Sequence, residues 1–84
     1  NKTSISYEIE ILLRNSQLVI EEDFTATIIF EVTRDNRVNI RTIKSPNEEV
    51  NKFLEKRLQD HKLKGDGWFT EKIYELPVKV RGNA

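Results

Sequence analysis

The chain contains no cysteine, so a disulfide framework, a thiolate metal site and a cysteine nucleophile are all excluded. It contains no methionine, not even at position 1, so it is expected to begin after processing, at a cloning boundary or after further residues. A removed signal peptide is one such origin. No apolar run approaches the roughly 20 residues that a membrane-spanning helix needs. Charge of one sign is also missing. The 14 basic residues cancel the 14 acidic ones, and a neutral domain has no bulk field to steer nucleic acid or an anionic membrane. There is one histidine, His61, beside Asp60 and Lys62. A general base needs a defined pocket and an orienting partner, and no such constellation is visible, so His61 reads as a solvated residue at a helix end. Ser4, Ser6, Ser16 and Ser45 lack a nucleophile-elbow context. Catalytic residues, metal ligands and cofactors are therefore not assigned.

At 84 residues the chain is a single domain, 1–84, with one small core and no room for a deep cleft beside it. Residues 1–23 read as an N-terminal helix and connector. Ile5 to Arg14 carries two periodicities at once: Ile5, Ile9, Leu12 and Leu13 at helical spacing, and Ile5, Tyr7, Ile9, Ile11 and Leu13 in strand alternation. Ser4 as N-cap, Glu8 near the N-terminus and Glu10 four residues before Arg14 favour the helix, with Asn15 and Ser16 as its stop. Glu21, Glu22 and Asp23 read as a solvated acidic turn, because no loop glycine organises them into a cation site.

Residues 24–81 carry the clearest pattern, β-β-α-β. From Phe24 to Thr33, residues Phe24, Ala26, Ile28, Phe30 and Val32 alternate with threonines and Glu31, Ile29 being the exception, which predicts a strand with one buried and one wetter face. Arg34, Asp35 and Asn36 form the turn, with Asn36 in the left-handed region. Arg37 to Lys44 returns with Val38 and Ile40 inward, and the broken alternation at Thr42 and Ile43 predicts a bulge or the strand end. Ser45-Pro46-Asn47-Glu48 reads as a capping box with Ser45 as N-cap, opening a helix whose stripe is Val50, Phe53, Leu54 and Leu58. Glu48 and Lys52 pair on its outer side. His61, Lys62 and Lys64 are expected at its end, and Gly65 and Gly67 as its stop.

Thr70 to Arg81 is the last strand, with Tyr74, Leu76, Val78 and Val80 on one face. Pro77 lies within it. Proline cannot donate to a ladder, so this strand belongs at an edge. The helix crossover sets it antiparallel to the first strand. The expected fold is therefore α+β: a three-stranded sheet of order 2-1-3, covered on one face by the long helix and by a short N-terminal helix. Trp68 and Phe69 near Lys62 and Lys64 invite a stacking platform for single strands. Two aromatics and a few lysines make no motif, and the reading preferred is that they close the core.

Three pieces of this pattern resemble the TonB C-terminal domain over about Phe24 to Arg81. They are the strand and turn Phe30-Glu31-Val32-Thr33-Arg34-Asp35-Asn36-Arg37-Val38, the serine-led helix, and the final strand ending Leu76-Pro77-Val78-Lys79-Val80. The whole is similar to small secreted TonB-like proteins of uncharacterised role from Bacteroidetes-type bacteria. Asn36 stands where that family usually has glycine, and His61-Lys62-Leu63-Lys64 replaces its Trp-rich helix end. The resemblance implies a periplasmic or secreted, non-enzymatic domain that takes a protein or extended peptide at a sheet edge. The site so implied is Tyr74, Glu75, Leu76, Pro77, Val78, Lys79 and Val80, and a second copy pairing through the same strand would make a homodimer. The alternative is a small structural or inhibitory domain anchored through Trp68 and Phe69. Nucleic acid is not an expected partner.

Overall fold

The computed structural model describes residues 2–63 and 68–83. Helix α1 (Lys2–Arg14) is followed by strands β1 (Phe24–Val32) and β2 (Val38–Lys44), helix α2 (Glu48–Leu58) and strand β3 (Ile73–Val80). The sheet order is β2-β1-β3, and β1 runs antiparallel to both neighbours. Both helices lie on one face, α1 against β3 and α2 against β2. The α+β class, the strand order and the central place of β1 are all as expected from the sequence.

The helical reading of the N-terminal segment holds because burial needs only one stripe. Ile5, Ile9 and Leu13, spaced by four, are buried, and Tyr7 stays exposed. The helix already begins at Lys2, so Ser4 lies inside its first turn and is not the N-cap. It ends where expected: the Ser16 hydroxyl donates to the Leu13 carbonyl at 2.6 Å. Strand β1 alternates cleanly, with Ala26, Ile28, Phe30 and Val32 buried. A register shift between Ile29 and Phe30 places Arg41 as the extra residue of β2, since Ile40 pairs with Phe30 and Thr42 with Ile29. This bulge is what disturbed the alternation.

The turn between β1 and β2 is built on Asn36, whose φ is 65°. Thr33 and Arg37 both hold Asp35, through the threonine hydroxyl at 2.5 Å and the guanidinium Nε at 3.0 Å. The Thr33 hydrogen bond, more than the arginine, draws the exposed Asp35 carboxyl below its ordinary range. Asn36 does more than tolerate the left-handed region. Its Nδ2 donates to the Leu63 carbonyl at 2.9 Å, and its own carbonyl accepts from the Leu63 N–H at 2.8 Å. Asn36→Gly is therefore expected to gain backbone freedom at this φ and lose the side-chain bond to Leu63, for a net change within about 1 kcal/mol. Asn36→Val is expected to cost more, about 1–3 kcal/mol, because a branched Cβ is strained there. Equal denaturant midpoints for the valine and glycine variants would contradict this turn.

The start of α2 differs from the expected capping box. Asn47, not Ser45, is the N-cap, and its Oδ1 accepts from the Val50 N–H at 3.1 Å. Ser45 sits two residues earlier: its hydroxyl accepts from the Asn47 N–H at 3.1 Å and donates to Asn51 Oδ1 at 2.6 Å. Proline at position 46 sits too early to be the first helical residue, because Asn47 follows it as the cap and the helix starts at Glu48. The helix buries Val50, Leu54 and Leu58, while Phe53 is only half-buried under the Arg57 guanidinium at 5.3 Å. It stops at Leu58, earlier than the glycines implied, because Gln59 is extended and Asp60 turns left-handed at φ 65°. The basic residues of its last turn are Lys56 and Arg57 rather than His61 and Lys62. Lys64, Gly65 and Gly67 fall outside the described residues. Among the described residues, Glu48–Lys52 and Glu10–Arg14 form no ion pair.

Candidate functional site

The last strand is shorter than expected, Ile73–Val80, with Thr70 and Glu71 in the turn before it. Its side chains divide strictly. Tyr74, Leu76, Val78 and Val80 are buried, and Ile73, Glu75, Pro77 and Lys79 are exposed. The direction of its backbone groups follows from two bonds at the end of β1. The Thr33 N–H donates to the Arg37 carbonyl on the β2 side, and the Val32 carbonyl accepts from the Glu71 N–H on the β3 side. Successive residues of a strand point their N–H and C=O to opposite sides, so even-numbered residues of β1 bond β3 and odd-numbered ones bond β2. Within β3, Tyr74, Leu76, Val78 and Val80 face Phe30, Ile28, Ala26 and Phe24 across the bonded pairs. Pro77 faces Thr27 across a non-bonded pair. Its nitrogen therefore points away from the sheet, where the missing N–H costs the β1 ladder nothing.

The expected site residues thus split into two groups. The backbone groups of Tyr74, Leu76, Val78 and Val80 are committed to β1, and their side chains to the core. The backbone groups of Glu75 and Lys79 point outward, with Pro77 between them contributing only a carbonyl. No strand lies outside β3 among the described residues.

The opposite edge is closed over half its length. After α2 the chain returns along β2, where the Val38 N–H donates to the His61 carbonyl at 2.9 Å and the Asp60 N–H to the Val38 carbonyl at 2.8 Å. Gln59 Oε1 takes the Ile40 N–H at 2.8 Å, and Arg37 and Lys62 form a bridge. His61 is therefore a backbone partner of the sheet rather than a solvated helix end. Its Nε2 lies 3.8 Å from Glu8 Oε2 of α1. This edge cover was not read from the sequence. The signal was available in Asp60, which like asparagine tolerates the left-handed region and so permits an early helix exit.

Trp68 does not stand at the surface. It is 8% exposed and packs edge-on to Tyr74, with ring centroids 5.0 Å apart, and 5.9 Å from Phe30. Phe30 and Tyr74 stack at 5.6 Å, so the three rings close one end of the core. As a surface anchor Trp68 is excluded by this burial, and the reading that it closes the core holds. Phe69 is different. Its N–H is fixed by the Tyr74 hydroxyl at 2.9 Å while its ring is 68% exposed beneath the Lys72 ammonium at 5.4 Å.

Among the described residues no group of histidine and carboxylate side chains is placed to hold a metal ion, and Asp23 instead accepts the Gly82 N–H at 2.7 Å. No helix among them is long and apolar enough to cross a membrane. Compared with family models, curated proteins and solved structures, the chain matches none.

Proposed function

We propose that the protein is a non-catalytic interaction domain of the bacterial cell envelope, periplasmic or secreted, which takes an extended segment of a protein or peptide as a fourth strand beside β3. The observation that carries the reading is the asymmetry of the two edges: residues 59–63 cover the first half of the β2 edge, whereas the outward groups of Glu75 and Lys79 meet no other strand of the described chain. An unoccupied row of donors and acceptors is the template for strand addition. Pro77 breaks that row in its middle, which restrains indiscriminate edge pairing. The likeness of Phe24 to Arg81 to the TonB C-terminal domain supports the same reading and is the basis for the compartment.

The test is residue-resolved amide exchange on Glu75 and Lys79 with candidate envelope peptides and, separately, across a dilution series of the protein alone. The expected result is protection of both amides by a partner strand, or by a second copy at high concentration through a symmetric pairing. Protection that appears only around Phe69, and is lost in Phe69→Ala, would overturn edge addition in favour of an anchor at that exposed ring.

A further inference from the structure

The outward row of β3 carries charge in a fixed order. Ile73, Glu75, Pro77 and Lys79 alternate with the buried residues, so their side chains stand on the sheet face that the helices leave open. Across the central strand they face Glu31, Ile29, Thr27 and Thr25 in turn. The Glu75 end is therefore acidic, with Glu31 on the diagonal, and Lys79 stands at the other end of the row. Neither Glu75 nor Lys79 is in an ion pair among the described residues, whereas Arg34 and Arg37 both have carboxylate partners. Lys79 borders the same surface hollow as Asp23, but the Asp23 carboxylate accepts the Gly82 N–H at 2.7 Å and pairs with no cation among the described residues.

A strand added beside β3 sets its own residues against this row. The outward backbone groups belong to the same residues as the exposed side chains. In an antiparallel pair each of Glu75 and Lys79 therefore bonds one partner residue and holds that residue's side chain beside its own, with Cβ atoms about 5 Å apart. Antiparallel ladders are slightly the more stable per residue, and β3 already pairs in this way with β1. Opposite charges across such a pair attract and like charges repel. The residue beside Lys79 is then best acidic and the residue beside Glu75 best basic. Those beside Pro77 and Ile73 are best apolar, since Ile73 offers an apolar side chain that is 47% exposed.

We propose that the partner segment is a peptide strand antiparallel to β3 that carries an acidic, an apolar, a basic and an apolar residue at alternate positions, in that order from its N-terminus. These lie beside Lys79, Pro77, Glu75 and Ile73. The last strand itself reads Glu75-Leu76-Pro77-Val78-Lys79, acid before base in the same order, so a second copy is the competing occupant. Symmetric pairing in that register sets Pro77 against Pro77, and both carbonyls at the axis then lack a donor. A separate peptide leaves only its own carbonyl without one, which favours the peptide. This inference rests on edge addition as the mode of binding and adds to it the direction and charge order of the segment.

The experiment is an NMR titration of the labelled protein at low salt with two heptapeptides capped at both ends. Both carry threonine at the second, fourth and sixth positions and valine at the third and seventh. One has glutamate first and lysine fifth, and the other has these two exchanged. The glutamate-first peptide is expected to bind at least about fivefold more tightly, because the exchange turns two attractive cross-strand pairs into two repulsive ones. The preference should shrink in high salt. It should reverse in the double variant Glu75→Lys/Lys79→Glu, whose positions are exposed and leave the core untouched. Equal affinity for the two peptides, with both protecting the amides of Glu75 and Lys79 from exchange, overturns the charge order and leaves edge addition standing. A preference for the lysine-first peptide, or a preference that persists unchanged in the double variant, also overturns it. Protection of neither amide by either peptide overturns edge addition and the charge order together. Protection that grows with protein concentration alone, and to which the peptides add nothing, gives the edge to a second copy and overturns the peptide as its occupant.

Discussion

Phe30→Ala is expected to leave the domain largely unfolded at room temperature. Phe30 is 1% exposed at the centre of the middle strand, paired with Ile40 on one side and Tyr74 on the other. Its ring contacts both Trp68 and Tyr74, so truncation removes the member shared by the aromatic cluster. Loss of a buried phenylalanine costs about 3–5 kcal/mol. A small domain of this size holds only about that much net stability from its core. Trp68 is the domain's only tryptophan and packs on Phe30, so its fluorescence reports the transition directly. A variant whose urea midpoint stays near that of the parent protein would mean that Phe30 is not the keystone of the core described here.

Leu54→Ala comes next in expected effect, and the contrast with its neighbour is the informative part. Leu54 is fully buried between Val50 and Leu58 on the sheet-facing stripe of α2. Its truncation should cost about 2–5 kcal/mol. Phe53 is half-buried at the flank, with its ring shielded by Arg57. Phe53→Ala should cost about 1 kcal/mol, the loss of a partly buried apolar side chain. Chemical denaturation of both variants checks the order, and a larger loss at Phe53 would show that α2 is rotated relative to the face assigned.

Those two residues also mark what the sequence could reveal. Spacing placed Val50, Phe53, Leu54 and Leu58 on one side of a helix, but a stripe four residues wide has a centre and a margin, and spacing does not say which is which. Position on the sheet decides it, because α2 lies over β2 and turns the Phe53 side toward solvent. The same limit applied at the helix start. Ser45, Pro46 and Asn47 are all residues of helix entries, and the pattern was right that a helix begins there. Which of Ser45 and Asn47 caps it depends on how the chain leaves the bulged β2 strand, a tertiary condition invisible in a four-residue motif. The alternation of β1 and β3 was legible in full, because one face of each is buried and a period of two leaves no freedom of assignment. Pro77 was legible as an edge residue for a purely chemical reason, its missing donor.

The candidate site was legible only in outline. Seven residues, Tyr74 to Val80, were expected to form the binding edge, and the register turns the backbone of four of them toward β1. Trp68 and Phe69 were both expected to close the core; Trp68 does so, folded onto Phe30 and Tyr74 by the turn before β3, whereas Phe69 stays exposed. The cover of the β2 edge by residues 59–63 went unread, because it depends on α2 ending at Leu58 rather than near the glycines. That cover is what makes the two edges unequal, and so it carries the functional reading.

The measurement that tests this account most directly is residue-resolved amide exchange along β3 in the free monomer. Tyr74, Leu76 and Val78 donate into the β1 ladder and should exchange slowly, at rates near those of Ile28 and Phe30, while Glu75 and Lys79 should exchange quickly. Slow exchange at Glu75 and Lys79 in the dilute monomer, or a reversed alternation with Leu76 fast, would contradict the outward-facing edge on which the proposed strand addition depends.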